Sequence, residues 1–289
     1  MKPVHAFILA AACFSLILCA CSQKKPKVNP EKDPQYQYEK AVIAMKYGLP
    51  EQALDYVNLA LSLDPRHYRS LDLLGLIRLQ AKDYRQAAEA LEKCLEVKPD
   101  FIDAINRLGT CYYELGEKDK ADEEFQKSLA LDGNAFASFN LAKLTLEENK
   151  LQDALDYIDK SILKANNQAG AYNLKGVILN QMERYAEAIT SFETALAITP
   201  NDVNVKINLG IAFMNARQYD KSLEVLEKAL PDIKDQVLRN KVEEYIKALK
   251  EAKEGPSARD MGCLCSRDAP AQLPGFLALN KADADPARP

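Results

Sequence analysis

The chain repeats itself about every 34 residues. An alanine recurs at Ala53, Ala87, Ala121, Ala154 and Ala188, with Ser222 in sixth place, in steps of 34, 34, 33, 34 and 34. Twelve residues before each stands another small residue: Ala41, Gly75, Gly109, Ala142, Gly176 and Gly210. Four residues after it comes a bulky apolar one (Val57, Leu91, Phe125, Ile158, Phe192, Leu226), and three later a small one (Ala60, Cys94, Ser128, Ser161, Ala195, Ala229). Asp64-Pro65, Lys98-Pro99 and Thr199-Pro200 close three of the units. Copies in register at this period mean a row of like units, each packing on its neighbours. The small positions let two helices of a hairpin approach closely, the bulky ones fill the space between hairpins, and the prolines stop the second helix. With 11 Gly in 289 residues and Ala, Leu, Glu and Lys abundant, the composition is helical.

Over about residues 34–235 the pattern resembles the tetratricopeptide repeat. The resemblance implies an all-α fold: a right-handed superhelical solenoid of six helix-turn-helix repeats, at about 34–67, 68–101, 102–134, 135–168, 169–202 and 203–235, plus a C-terminal capping helix. The family's usual Trp early in the first helix is absent; Leu71, Ile105 and Tyr172 serve there. Lys40 stands where Leu is expected in repeat one, and Lys206 takes the Trp position in repeat six; end repeats are commonly atypical. In residues 236–254, Leu238, Val242, Tyr245, Ile246 and Leu249 form one apolar stripe, that of the capping helix. Residues 255–289 turn to Pro, Ala, Asp and Arg without a period, which predicts disorder.

The N-terminus reads as an export signal over residues 1–20. Lys2 is followed by an apolar run from Ala6 to Ala20, shorter than the ~20 residues that span a bilayer. Leu18-Cys19-Ala20-Cys21 resembles the bacterial lipobox, which implies lipid attachment at Cys21; Cys19 departs from the residues usual at its place. Residues 21–33, with Pro26 and Pro30 among lysines, form a linker. With Ser22 after the acylated cysteine, the expected location is the periplasmic face of the outer membrane.

Chemistry-bearing motifs are absent from the sequence. It holds no phosphate-binding glycine loop, zinc helix or nucleophile elbow, and after signal removal one histidine remains, His67. Adjacent acids such as Glu123-Glu124 do not face each other on a helix. Cys263 and Cys265 lack further ligands, and Cys94 and Cys111 read as buried thiols packing as small apolar groups. No enzyme activity, cofactor or metal is expected. The net charge of −4 becomes −5 once Lys2 leaves, and no basic stripe appears, so nucleic acid is not an expected partner.

The family resemblance directs attention to the first helices, whose second, fifth, ninth, twelfth and thirteenth positions line a concave surface. Those positions include Val42, Met45, Leu76, Leu79, Asn106, Tyr113, Phe136, Phe139, Lys143, Leu146, Asn173, Val177, Asn180, Ile207, Ile211, Met214 and Asn215, with Asn140 and Asn208 one position off. Large apolar groups mixed with amides suit a protein segment, and Tyr113, Phe136 and Phe139 are the expected centre. The family's clamp for an acidic C-terminus is not reproduced, which disfavours a carboxylate-tail ligand. A lipoprotein signal followed by six such repeats resembles the type IV pilus biogenesis and secretin-pilotin lipoproteins. That resemblance implies a membrane-tethered scaffold whose protein partner is a secretin; the alternative is a general envelope adaptor in cell-wall synthesis, outer-membrane assembly or cytochrome maturation.

Overall fold

The structure, a computed structural model, describes residues 29–254. The signal, Cys21 and the tail from residue 255 lie outside the described residues. Those described form thirteen α-helices: α1 (Pro34–Lys46), α2 (Pro50–Leu63), α3 (Tyr68–Gln80), α4 (Tyr84–Val97), α5 (Ile102–Leu115), α6 (Lys118–Asp132), α7 (Ala135–Glu147), α8 (Leu151–Lys164), α9 (Ala169–Gln181), α10 (Tyr185–Ile198), α11 (Val203–Asn215), α12 (Tyr219–Ala229) and α13 (Gln236–Glu254). Odd and even helices pair as six successive hairpins, the all-α helix-turn-helix units that the period predicts. They fall into two units, one of residues up to Pro99 and one from Asp100 onward.

Each hairpin turns by the same device. Just past the end of the first helix, two residues on in five repeats and one in repeat three, the backbone is left-handed: Gly48, Lys82, Gly116, Asn149, Glu183 and Arg217, with φ from 59° to 80°. The next N–H then reaches back to a carbonyl of the last helical turn, as from Leu49 to Ala44, Glu117 to Tyr112 and Arg184 to Leu179, at 2.9–3.0 Å. This satisfies carbonyls that the helix end would leave bare. Helix starts draw on Pro34 and Pro50 in the first turn and on caps at Asp33, Asn134 and Asp202, whose side chains accept from backbone N–H groups.

Inside each hairpin, size on one helix is matched to size on the other. A Cβ placed on Gly75, Gly109, Gly176 or Gly210 would come within 2.5–2.7 Å of Leu91, Phe125, Phe192 or Leu226 respectively. Repeats one and four carry alanine instead, and there the paired side chain is the shorter, branched Val57 or Ile158; all four of these residues are fully buried. The second helices add hydrogen bonds at their small positions. Cys94 Sγ donates to the Tyr68 carbonyl at 3.2 Å and Ser161 Oγ to the Ala135 carbonyl at 2.8 Å, both 26 residues upstream.

The two atypical lysines find local partners. Lys40 Nζ lies 4.3 Å from the Tyr56 ring centroid and 3.6 Å from Glu31. Lys206 lies 4.0 Å from Asp232. Gln37, in the position usual for Trp, is fully buried and donates to the Glu31 carbonyl at 2.9 Å. At the other end Val242, Ile246 and Leu249 of α13 close a core with Leu226, Ala229 and Ile233.

Candidate functional site

In the unit from Asp100, the first helices α5, α7, α9 and α11 carry a row of polar side chains that meet from one repeat to the next. Asn208 Nδ2 donates to Asn173 Oδ1 at 2.8 Å, and both residues are buried. Two turns further along the same helices, Asn215 Nδ2 donates to Asn180 Oδ1 at 3.1 Å. Counted within the repeat, these join the fifth position to the next repeat's sixth, and the twelfth to the thirteenth.

Repeats three and four make one of these rungs and miss the other. At the twelfth–thirteenth rung the Tyr113 hydroxyl donates to Glu147, 34 residues on instead of 35 because the step between these repeats is 33. The same carboxylate takes Lys118 Nζ at 2.6 Å, and Lys143 Nζ stands 4.6 Å from the Tyr113 ring centroid. Burial, then the bond to Glu147, pushes the Tyr113 phenol above its ordinary range. Lys143 is only 5% exposed, its charge set against an aromatic face. At the fifth–sixth rung Asn140 Nδ2 donates instead to the carbonyl of Phe136 in its own helix, at 3.0 Å. Asn106 Oδ1 is left buried with no hydrogen-bond partner, although the residue as a whole is half-exposed. Between repeats four and five the same places hold Phe139 and Leu174 at one rung and Leu146 and Gln181 at the other, so three of the four are apolar.

The remaining residues expected on the concave face divide. Ile207 is 1% exposed in the core that α13 completes and so is a core residue, while Ile211 and Met214 are half-buried at the edge of that core. Phe136 turns into its own neighbourhood, edge-on to Phe125 at 6.3 Å between centroids, and Phe139 packs into a different cluster. The expected Tyr113–Phe136–Phe139 centre is therefore divided: Tyr113 and Phe136 pack against one core with Phe125, where the Tyr113 hydroxyl also heads a polar network, and Phe139 packs against the next core. Asn173, Asn208 and Asn140 are buried in bonds within the protein, as Val177 and Leu146 are in apolar packing. In the unit up to Pro99, Met45 and Leu76 pack at the edge of the core and Val42 is exposed.

Glu147 and Lys118 were not singled out from the sequence. The signal that finds them is the offset: an acid one repeat step beyond Tyr113, plus one residue. Cys94 and Cys111 are buried thiols and not a disulfide; burial pushes the Cys111 thiol up to about 12. His67 Nδ1 lies 2.8 Å from Ser70 Oγ, and burial lowers its pKa. Among the described residues no cluster of His, Cys, Asp and Glu is placed to hold a metal ion.

Two family models, each described as tetratricopeptide repeat, match the chain, one at residues 78–137 and 179–240 and the other at 139–203. The peroxisomal targeting signal receptor of Kluyveromyces lactis is 26% identical over 224 residues, which cover 71% of this chain and 38% of the receptor. The chain spans less than two-fifths of the length of the curated relatives it matches. Among solved structures, Pseudomonas aeruginosa PilF superposes with a TM-score of 0.65 at 14% identity, over 75% of this chain and 99% of that one. PilW, described as a widely conserved type IV pilus biogenesis factor, superposes with a TM-score of 0.62 at 17% identity, over 70% and 95%. At such identities the likeness is one of fold.

Proposed function

We propose that this chain, which belongs to the tetratricopeptide-repeat family, is a lipid-anchored envelope scaffold that holds a segment of a protein partner against the first helices of repeats three and four, and that it assists assembly of the type IV pilus secretin. The observation that carries the binding reading is the unspent amide of Asn106. Its counterpart Asn173 is used up in a rung to the next repeat, whereas Asn106 Oδ1 has nothing to accept. A buried acceptor without a partner calls for an explanation. The terminal torsion of an Asn is soft and roughly two-fold. Half a turn about it brings the oxygen outward, where the main-chain N–H of a bound segment donates to it. Two turns along the same helix, Tyr113 meets Lys143 and Glu147, an aromatic ring with both signs of charge.

The membrane part rests on the lipobox-like Leu18-Cys19-Ala20-Cys21 stretch, and the pilus part on that signal joined to six repeats. The fold shared with PilW supports it. A tether of this kind acts by concentration: it confines the binding face to a thin layer beside the membrane, where the partner assembles.

Fatty-acid labelling tests the anchor, with label expected on the wild type and lost in Cys21→Ser. Deleting the gene tests the pilus reading through secretin multimers, which are expected to fall; normal multimers and pili would remove it. The binding face is tested by Asn106→Ala, which should weaken capture of the secretin segment by roughly tenfold, about the 1.4 kcal/mol of one good hydrogen bond, without lowering the melting temperature. Unchanged capture would move the site elsewhere.

A further inference from the structure

The first hairpin ends in a face that its own architecture treats as an interface. The tenth residue of a repeat lies on the side of the first helix turned toward the preceding hairpin. Ile77 is buried there in one cluster with Val57, Leu144 with Phe125, Ile178 with Ile158 and Ala212 with Phe192. The same position in repeat one is Ile43, and it is 54% exposed. One turn on, Tyr47 is 78% exposed, and Val42 beside them is also open. An isoleucine is thus presented to solvent at a register where later repeats bury the residue against a helical hairpin, with Tyr47 and Val42 exposed beside it.

The charges on the same helix point to what covers it. Glu39 and Lys46 are both exposed and stand on either side of Ile43. If two α1 helices cross antiparallel about a two-fold axis between Val42 and Ile43, each Ile43 meets the other copy's Val42. In that same register each Glu39 meets the other's Lys46, so both ends of the contact close with opposite charges. An isologous contact must be self-complementary, and this face is. The core after repeat six is instead closed by Val242, Ile246 and Leu249 of α13.

We infer that the chain self-associates through α1 of repeat one, as a two-fold dimer of this chain centred on Ile43 and fenced by reciprocal Glu39–Lys46 pairs. The contact is independent of whatever the first helices of repeats three and four bind. A dimer sealed in this way carries two partner-binding faces, so it would gather two copies of the same segment.

The test is co-capture between two differently tagged copies of the full chain, expressed together. Wild type should retain its mate. Ile43→Glu should cut recovery by about tenfold or more, as expected of a charge placed at the centre of an apolar contact, with an unchanged melting temperature because Ile43 is exposed. Glu39→Lys and Lys46→Glu should each weaken recovery when both copies carry the change, and the combined Glu39→Lys/Lys46→Glu chain should recover it. Rescue is specific to the two-fold register. Three results would overturn the inference: no co-capture of wild type, full recovery with Ile43→Glu, or no rescue by the combined swap. Flotation of wild type with phosphatidylethanolamine–phosphatidylglycerol vesicles, lost in Ile43→Glu and without co-capture, would also overturn it and assign the face to lipid.

Discussion

The junction between repeats three and four and that between repeats five and six are built on one plan and finished differently. Both set a polar residue at the fifth position opposite an Asn at the sixth of the next repeat, and a polar residue at the twelfth opposite another at the thirteenth. In repeats five and six both rungs close, through Asn173–Asn208 and Asn180–Asn215. In repeats three and four the outer rung closes through Tyr113 and Glu147, while Asn140 bonds within its own helix and Asn106 is left over. A closed rung is a clamp between repeats. An open one leaves a buried acceptor without a bond. The same residue type at the same register therefore bonds across repeats in one place and is left with an unbonded oxygen in the other.

The contrast breaks most visibly at the buried rung. Asn173→Ala leaves the Asn208 amide buried without its partner and should cost about 1–3 kcal/mol, read as a lower urea midpoint at unchanged slope. The matching Asn106→Ala should stay within about 0.5 kcal/mol of wild type, since that amide oxygen gives up no bond. Equal losses at the two sites would erase the distinction. Next, Tyr113→Phe removes the outer rung of the open junction alone; Glu147 keeps Lys118, so about 1 kcal/mol is expected. Smallest is an effect at the turns. The open junction turns at Gly116 and Asn149, which tolerate left-handed backbone, whereas the closed one turns at Glu183 and Arg217, which do not. Glu183→Gly should raise stability by about 0.5–1 kcal/mol, and Asn149→Gly by less, as followed by thermal melts.

How much of this could be read from the sequence depended on whether the signal was periodic. The hairpins were legible because Ala53 and its successors fix the register, whereas the left-handed turns were not, since Lys82, Glu183 and Arg217 carry no sign of that conformation. The stripe on α13 was legible as a cap, but not its seat, so Ile207 read as open groove when it lies in the core that α13 completes, with Ile211 and Met214 at its edge. The concave row was legible as a set of positions and not as a set of pairs. Which amides meet depends on a one-residue offset between adjacent repeats, and a list of concave positions carries no such cross-links. Phe136 and Phe139 illustrate the same gap: three residues apart on one helix, they enter different clusters.

The matching of glycine to Leu or Phe, and of alanine to Val or Ile, also gives each hairpin a private lock. A chain of near-copies risks pairing the first helix of one repeat with the second helix of another while it folds. Ala142 set against Phe192 would overlap a ring that only a bare Cα can accommodate, and Gly176 set against Ile158 would leave a hole. Both errors are discouraged by shape before any later packing can endorse them. Two kinds of hairpin in one chain thus act as a proofreading alphabet, in which the fourth repeat is spelled differently from the third and fifth on either side of it.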